Sequence, residues 1–257
     1  MTGIRILCLV LLLSSIGTVP LDAQALGSLD VLVRGVKIDG KQGIISRKRF
    51  YLLNGGLKDN QALTTKLKTA EIRSRDCYYS QMQASPQFIC WLKAENCESP
   101  YCRSITDSDV ARVPEFQAAY KKGLTQFKGL TTIARDWITT NLPPILTSGY
   151  YQEGKTLTAS LLGATPIQSS MTDGKGVKTT FINIPIPAVS GKTTGTFFVS
   201  NILPFEYGGK SYVWACEVEI GPDKLVSLVL TLPNTKKNCE VYVRDLPVCK
   251  TEGCQSK

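Results

Sequence analysis

Histidine is absent from all 257 residues of this chain. Its absence excludes Ser-His-Asp and Cys-His nucleophilic catalysis, zinc sites with imidazole ligands, and pH switches that depend on an imidazole. The glycine-rich GxGxxG and P-loop patterns that hold nucleotide phosphates are absent as well. We therefore predict that the protein is not an enzyme and binds no cofactor, and we assign no catalytic, cofactor-binding or metal-binding residue.

Long apolar runs are also absent, except near the N-terminus. There, an uninterrupted apolar run at residues 6–13 follows Arg5 and precedes the small-x-small triplet Ala-Gln-Ala at residues 23–25. The run is too short to span a bilayer, and the whole pattern is typical of a secretory signal peptide. We expect residues 1–25 to be cleaved, so that a mature protein without a transmembrane segment begins at Leu26 and is secreted or periplasmic.

Cysteine, by contrast, is abundant: the chain has nine, and Cys8 lies within the predicted signal peptide. An even number of remaining cysteines in an exported protein favours a disulfide framework. The first group has the spacing C-x12-C-x6-C-x4-C, which lacks the C-x-x-C of thioredoxin-like enzymes and offers a structural zinc ion only one close pair. We predict that eight cysteines form disulfides, namely Cys77, Cys90, Cys97, Cys102, Cys216, Cys239, Cys249 and Cys254.

Helix geometry restricts the pairing within the first group. If the predicted helix around Cys90 continued to Cys97, these two residues would be about 10.5 Å apart, beyond the limit of roughly 7 Å for a disulfide. The first choice is therefore Cys77 with Cys90 and Cys97 with Cys102. The second choice joins Cys77 to Cys97 and Cys90 to Cys102.

The second group of cysteines lies near the C-terminus. In the strand-like segment SYVWACEVEI, alternation places Cys216 on the apolar face, and alternation in the last strand points Cys239 inwards as well. We expect these two cysteines to pair between strands. Cys249 and Cys254 would then pair with each other and pin a tail at residues 247–257.

Apolar periodicity divides the rest of the chain into strands and helices. Residues 29–38 and 47–56 have the composition of strands, whereas residues 57–70 and 86–96 have helical spacing. From Tyr150 to the end, short apolar runs separated by turn residues predict further strands, beginning with KTLTASLLG.

The strongest periodic signal lies at residues 114–142. It predicts one long amphipathic helix, bent at Gly129 and ended by Pro143-Pro144. The favoured interpretation is that its apolar stripe packs on the core, and a basic helix lying on a membrane surface is the alternative. The stripe consists of Phe116, Ala119, Tyr120, Gly123, Phe127, Leu130, Ala134, Trp137 and Ile138.

The segment TTGTFFVSNILPFEYGGKSYVWACEVEIGPDKLVSLVLTL, at residues 193–232, resembles the closing strands of carboxypeptidase regulatory-like domains, which are transthyretin-like β-sandwiches. Its Gly-x-Phe strand and its Asn-x-Leu-Pro turn match that pattern, whereas Phe205-Glu206 replaces the usual Pro-Gly. Residues 31–56 are similar to the first two strands of the same module. The matching positions are Gly195, Phe197, Asn201, Leu203, Pro204 and Tyr207, together with Gly35, Asp39, Gly40 and Gly43 at turns.

This resemblance implies a non-catalytic accessory or adhesion-like module whose sequence is split. We therefore expect an α+β fold: an antiparallel, transthyretin-like β-sandwich at residues 26–56 and 150–246. A helical, disulfide-bearing insertion would occupy residues 57–149, and the tail at residues 247–257 would follow the last strand.

Positive charge is in excess, with a formal net charge of +9 at pH 7. Basic residues cluster at Arg47, Lys48 and Arg49 and again at Arg73 and Arg75, and these five are the candidate anion-binding residues. In an exported protein they favour an acidic polysaccharide, an anionic lipid or an acidic protein as the partner, and the aromatic interleaving expected for nucleic acid is missing. For Arg47, Lys48 and Arg49 the simpler explanation is a solvated edge strand that its charges protect, and an anion-binding patch is the alternative.

Together these patterns predict an exported, disulfide-stabilised, non-enzymatic binding or structural module that contacts acidic envelope or extracellular glycans. Two alternatives remain open. One is a secreted glycan hydrolase that uses paired carboxylates and needs no histidine, although Asp107 and Asp109 are expected to cap a helix instead. The other is an envelope thiol-redox or zinc protein, which would require that some cysteines are not in disulfides.

Overall fold

The protein is a mixed α+β molecule, as predicted, with its helices inserted between two groups of strands. Residues 1–24 of the predicted signal peptide, and Cys254, lie outside the part of the chain that the structure describes. Within the described part, no helix is both long and apolar enough to cross a membrane. The computed structural model describes residues 25–38, 41–42, 45, 47–95, 97–163, 165–173, 178–187, 193–207, 209–232, 237–247 and 249.

Most strands form where the alternating apolar runs predict them, but the short strands at residues 41–42, 168–171 and 205–207 were not predicted, and one predicted strand is a helix, as described below. They are β1 (Leu26–Ile38), β2 (Lys41–Gln42), β3 (Arg49–Asn54), β4 (Gln168–Met171), β5 (Lys178–Pro185), β6 (Gly195–Ser200), β7 (Phe205–Tyr207), β8 (Lys210–Ile220), β9 (Leu225–Leu232) and β10 (Cys239–Asp245).

Among the described residues, the helices all lie between β3 and β4 in the sequence, and a short 3₁₀ turn at Pro100–Cys102 interrupts them. They are α1 (Gln61–Thr69), α2 (Arg75–Gln81), α3 (Pro86–Ala94), α4 (Asp107–Arg112), α5 (Pro114–Gln126), α6 (Thr131–Asp136), α7 (Ile138–Asn141), α8 (Pro144–Thr147) and α9 (Gly149–Leu162).

The strands form two sheets. In the first sheet, β1 pairs antiparallel with β2 and β5 and parallel with β9. The second sheet has the order β10-β8-β6-β3-β4, with β7 also on β8, and all of its pairings are antiparallel. The prediction of antiparallel strands is therefore wrong for β1 and β9. The reason is that the chain leaves the second sheet after β8 and enters the first, so β9 is not the hairpin partner of the strand before it.

Both sheets contribute side chains to one large buried cluster. Phe181 of the first sheet and Phe50, Phe197 and Trp214 of the second are all 1% exposed or less and belong to this cluster. Alternation along β8 is as predicted, because every second residue from Tyr212 to Ile220 lies in the cluster. Hydrophobic burial between the two sheets is thus the main stabilising contribution to the strand region.

The opposite face of the second sheet is covered by helices. Leu63 and Leu67 of α1 and Leu161 of α9 form a separate buried cluster with strand residues that include Phe198 and Val213. Because these strands are covered on both faces, β8 is almost continuously buried along its length.

The C-terminal end of α1 is fixed to the last strand. Arg244 of β10 donates hydrogen bonds from its two terminal nitrogens to the backbone carbonyls of Leu67 and Ala70. The last carbonyls of a helix have no partner within the helix, so this guanidinium satisfies two acceptors that water would otherwise take.

The remaining helices have a core of their own, built largely from aromatic rings. Phe116 of α5 meets Phe88 and Trp91 of α3 edge to face, with ring centroids 5.6 and 5.0 Å away. The sequence signal of α3 is correct: this helix begins after Ser85, whose hydroxyl accepts a hydrogen bond from the backbone N–H of Phe88.

Helix α4 begins with a capping box. Thr106 is the cap residue, and Asp109 accepts hydrogen bonds from the backbone N–H of Thr106 at 2.9 Å and from its hydroxyl at 2.7 Å. Asp109 is therefore part of the cap as predicted. Asp107 lies in the same first turn, is exposed, and forms an ion pair with Arg135.

The prediction of one long helix at residues 114–142 is wrong. Lys128 and Gly129 have φ angles of 49° and 85°, so α5 ends and the chain reverses before α6 begins. The two helices then pack closely where Gly123 meets Ala134. Part of the predicted stripe is buried accordingly, but Leu130 and Trp137 are 56% and 42% exposed.

The prediction of a strand at KTLTASLLG is also wrong. These residues form the second half of α9, which ends at Gly163 with a φ angle of 61°. A short apolar run with threonines fits a strand and a helix equally well, and here burial of Leu161 against the sheet favours the helix. The helical part of the chain therefore extends to Leu162 rather than to residue 149.

The described cysteines are all disulfide-bonded. Cys97 pairs with Cys102, and Cys216 with Cys239, as predicted. Cys77 pairs with Cys249, and Cys90 is disulfide-bonded as well. The predicted pairs Cys77–Cys90 and Cys249–Cys254 are therefore wrong.

The tertiary structure explains why these two predicted pairings are wrong. The segment after β10 returns to α2, where the backbone carbonyl of Pro247 lies 3.6 Å from the sulfur of Cys77. Cysteines that are far apart in the sequence thereby meet, and spacing along the chain is no guide to this pair.

Candidate anion-binding groove

The five predicted anion-binding residues come together in space. Arg47, Lys48, Arg49 and Arg73 line a cavity of about 310 Å³, and Arg75 lines a second cavity of about 520 Å³ together with Arg47 and Lys48. The two cavities also share lining residues from α9 and from the β6–β7 connection, so they form one depression, which we call the basic groove.

The turn before β3 is held in place by a buried threonine. Thr172 donates a hydrogen bond to the carbonyl of Ile45 at 2.6 Å and accepts one from the backbone N–H of Lys48 at 2.9 Å. Between these anchors, Arg47 has a φ angle of 55°, in the left-handed region that residues with a side chain seldom adopt. Such strain is typical of functional sites, and here it projects an exposed arginine at the rim of the groove.

The short disulfide loop forms another wall. Arg47 donates from Nη1 to the carbonyl of Cys102 at 2.6 Å, and Arg75 donates from Nη1 to the carbonyl of Cys97 at 3.0 Å. Lys48 forms an ion pair with Glu98 within this loop. The Cys97–Cys102 bridge thus positions the groups that face three of the groove's cations.

Acidic side chains neutralise three of the five cations. Lys48 pairs with Glu98, Arg73 makes a two-pronged contact with Glu153, and Arg75 pairs with the adjacent Asp76.

Arg47 and Arg49 differ from these three. Arg47 hydrogen-bonds a carbonyl and Arg49 a serine hydroxyl, and neither forms an ion pair within the described residues. Lys155 also lines the groove and is exposed, with no ion pair in the same part of the chain. The charge available to a ligand is therefore concentrated on Arg47, Arg49 and Lys155.

Two carboxylates in the groove have opposite electrostatic environments. Partial burial opposes the charge of Glu98, but Lys48 and Arg75 outweigh it and hold the pKa of this carboxyl below its usual value. Burial raises the pKa of Glu206, and the nearby charge of Arg75 only partly offsets this effect. Glu206 accepts hydrogen bonds from the backbone N–H of Arg75 at 3.1 Å and from the hydroxyl of Tyr150 at 3.5 Å.

Aromatic rings complete the lining. Tyr151 and Tyr101 are 58% and 61% exposed at the groove, and Tyr51 and Tyr150 lie deeper within it. Exposed tyrosine faces offer flat apolar surfaces with a polar edge, which suits a ring that carries hydroxyl groups.

Sequence reasoning found five basic residues of the groove but missed Lys155, Arg103, the acids and the tyrosines. One signal was available for Glu206, because it is one of the two residues by which the segment at 193–232 departs from the carboxypeptidase regulatory-like pattern. Glu98 and Tyr151 carried no such signal, since each belongs to a segment whose partners come from elsewhere in the chain.

The groove contains no arrangement of ligands for a metal ion. Within the residues described, no group of three or more cysteine, aspartate or glutamate side chains is placed to hold one. The seven described cysteines are all disulfide-bonded and so offer no thiolate.

Comparison with known proteins gives no relative: no protein-family model, no curated protein and no solved structure matches this chain.

Proposed function

We propose that the protein is an exported, disulfide-stabilised, non-enzymatic binding module that takes an acidic glycan in the basic groove. The observation that carries this proposal is the pair Arg47 and Arg49, which line a cavity without an acidic partner in the described residues, next to the exposed ring of Tyr151. A guanidinium offers two parallel donors to a carboxylate or sulfate group, while a tyrosine face packs against the sugar ring.

The charge of the groove supports an anionic ligand. Seven cationic side chains line the two cavities, against four glutamates. The excess follows the net charge of the whole chain, which would steer a polyanion towards the protein. The pairs around Arg73 and Arg75 then serve to fix the walls, and the unpaired arginines to hold the ligand.

The fold and location form part of the same proposal. Two sheets that share one buried cluster are compatible with a transthyretin-like sandwich, and the helical segment with an insertion into it. Disulfides persist mainly in oxidising compartments, so the cysteine pairs are compatible with a secreted or periplasmic protein.

Titration calorimetry with a soluble polyuronate, and with uncharged dextran as the neutral control, tests the proposal. We expect binding of the polyuronate only, weakened by salt because the contacts are charged. The double variant Arg47→Ala/Arg49→Ala should raise Kd by about tenfold or more, which corresponds to a loss of about 1.4 kcal/mol.

A matched variant removes the same charge elsewhere. Lys58 and Lys224 are exposed and line neither cavity, so Lys58→Ala/Lys224→Ala should leave Kd nearly unchanged. An equal increase in Kd in both double variants would show that binding depends only on net charge, and the groove would then not be the glycan-binding site.

A second function is favoured by one observation. Glu98 and Glu206 line the same cavity and their pKa values are displaced in opposite directions, which is the arrangement of a carboxylate base and a carboxylic acid in glycan hydrolases. Release of reducing ends from the polyuronate by the wild type, abolished in both Glu98→Gln and Glu206→Gln, would establish a hydrolase in place of a binding module. The thiol-redox or zinc alternative has no support in the described cysteines.

A further inference from the structure

The connection between α5 and α6 protrudes from the helical part of the molecule. Residues 128–133 are all exposed, and a Cβ atom added at Gly129 would meet no other atom within 4 Å. The reversed backbone at Lys128 and Gly129 forms the end of this projection. We call residues 127–137 the α5–α6 tip.

The α5–α6 tip exposes large apolar side chains. Leu130, Ile133 and Trp137 are 56%, 39% and 42% exposed. Leu130 directly precedes α6 and Trp137 directly follows it, and the spacing of three and four residues places the three side chains on one side of this short helical segment. The ring of Phe127 lies 5.3 Å from that of Trp137 and extends the same surface. In the described part of the chain, about two-fifths or more of each of Leu130, Ile133 and Trp137 therefore remains open to solvent.

The surroundings of the α5–α6 tip are basic. Lys121, Lys122 and Lys128 are exposed and form no ion pair with any described residue. The exposed Asp136 is the opposing charge of the tip, because Arg135 is paired with Asp107 at 3.2 Å.

We propose that the α5–α6 tip is a membrane-docking element that places Leu130, Ile133 and Trp137 in the interface of a bilayer containing anionic lipid. Tryptophan and leucine enter the boundary between headgroups and acyl chains, while lysines beside them are attracted to anionic headgroups. None of the tip residues lines the basic groove, so this surface is independent of the proposed glycan site.

A second copy of the chain fits this surface less well. Two tips meeting about a two-fold axis would bring their lysines together, and like charges repel. Stable dimers also bury roughly 1,200–2,000 Å² in total, more than a few partly exposed side chains supply.

Tryptophan fluorescence of the full chain tests the proposal directly. Of the three tryptophans, Trp91 and Trp214 are 6% and 0% exposed, so a change in polarity at the surface is reported by Trp137. With vesicles of phosphatidylcholine and phosphatidylglycerol we expect a blue shift of the emission and quenching by brominated acyl chains. Leu130→Asp should abolish both, and Lys121→Glu/Lys122→Glu/Lys128→Glu should weaken binding by about tenfold or more.

Ile182→Asp is the matched control, since Ile182 is 59% exposed and lies on β5, which is not part of the tip. It should bind vesicles like the wild type. Three outcomes would overturn the proposal. They are the absence of a blue shift at low ionic strength, a loss of vesicle binding in Ile182→Asp equal to that in Leu130→Asp, and wild-type binding to pure phosphatidylcholine vesicles as strong as to the anionic vesicles. A dimer in light scattering that Leu130→Asp disrupts would assign the surface to a second copy instead.

Discussion

Replacing Asp109 with asparagine removes one charge from a buried site without changing its shape. The side chain of Asp109 is 1% exposed, and Arg103 donates to its two carboxylate oxygens at 2.8 and 3.1 Å. Thr106 adds its backbone N–H and its hydroxyl, and Arg112 adds a further contact at 3.2 Å. Asparagine keeps one oxygen acceptor and turns the other into a donor that faces Arg103.

The expected cost of Asp109→Asn follows from these contacts. Hydrogen bonds to charged groups contribute about 1.5–3 kcal/mol each, and breaking a buried ion pair costs about 3–5 kcal/mol. Arg103 keeps some access to water and its ion pair with Glu95, which lowers the estimate. We expect a loss of about 2–4 kcal/mol in the free energy of unfolding, and a fall of roughly 5–12 °C in Tm.

The effect should depend on pH in a defined direction. Burial opposes the charge of Asp109, but the hydrogen bonds from Arg103 and Thr106 outweigh it and hold the pKa of this carboxyl well below its usual value. The stabilisation is therefore fully present above the pKa of the unfolded chain, about 3.9, and is lost as pH falls towards the folded pKa. The difference in the free energy of unfolding between the wild type and Asp109→Asn should become smaller below about pH 4.

Urea unfolding followed by tryptophan fluorescence measures this prediction, because Trp91 lies in the same region, with its ring centroid 4.8 Å from the guanidinium carbon of Arg103. Asp107→Asn is the control: this residue lies in the same helical turn but is 83% exposed, and we expect a change within about 0.5 kcal/mol. Equal unfolding midpoints for the two variants at neutral pH would refute the reasoning.

Three further predictions concern crosslinks, packing and charge. In the chain-entropy model, Cys77→Ser/Cys249→Ser should lower the free energy of unfolding by about 5 kcal/mol and Cys97→Ser/Cys102→Ser by about 2 kcal/mol, because the paired residues are 172 and 5 residues apart. Guanidine unfolding measures both losses, and a larger loss for the second variant would contradict the model. Gly123→Ala should lower the free energy of unfolding by about 1–3 kcal/mol, because the new Cβ would lie 3.1 Å from the backbone of Ala134. Gly154→Ala is the control: its Cβ would meet only the end of a leucine side chain, so Tm should fall little or not at all. Glu206→Gln should raise the urea midpoint at pH 7, because burial raises the pKa of Glu206 and ionisation of this carboxyl therefore destabilises the fold. The increase in midpoint should vanish below about pH 4, where the carboxyl is protonated in the folded and the unfolded chain. An increase that persists at low pH would show that ionisation of Glu206 is not its cause.

Local patterns predicted those elements whose burial repeats with a simple period. The alternation in β8 and the proline start of α3 are examples, since each depends on neighbours in the sequence. The single helix at residues 114–142 failed because periodicity does not register the left-handed backbone at Lys128 and Gly129. α9 was missed because its threonines and leucines suit either structure until the sheet that covers them is known.

The basic groove, too, could be predicted only in part from local sequence patterns. Charge clusters in the sequence identified five of its seven basic residues, which the fold brings together. Which of them remain available depends on Glu98 and Glu153, and these acids come from segments 50 and 80 residues away from Lys48 and Arg73. The division of the chain into a sandwich and a helical insertion stays a prediction, with the helical part ending at Leu162 instead of residue 149.

The bond between Cys77 and Cys249 makes a covalent ring of most of the polypeptide. One proteolytic cut in any loop of this ring opens it without releasing a fragment, so a nicked molecule would keep its mass on a non-reducing gel. The ring also cannot close until Cys249 has been synthesised and has reached Cys77. The connection between the helical region and the strands is therefore among the last to be made as the protein matures, and it then survives a cut that would divide an open chain.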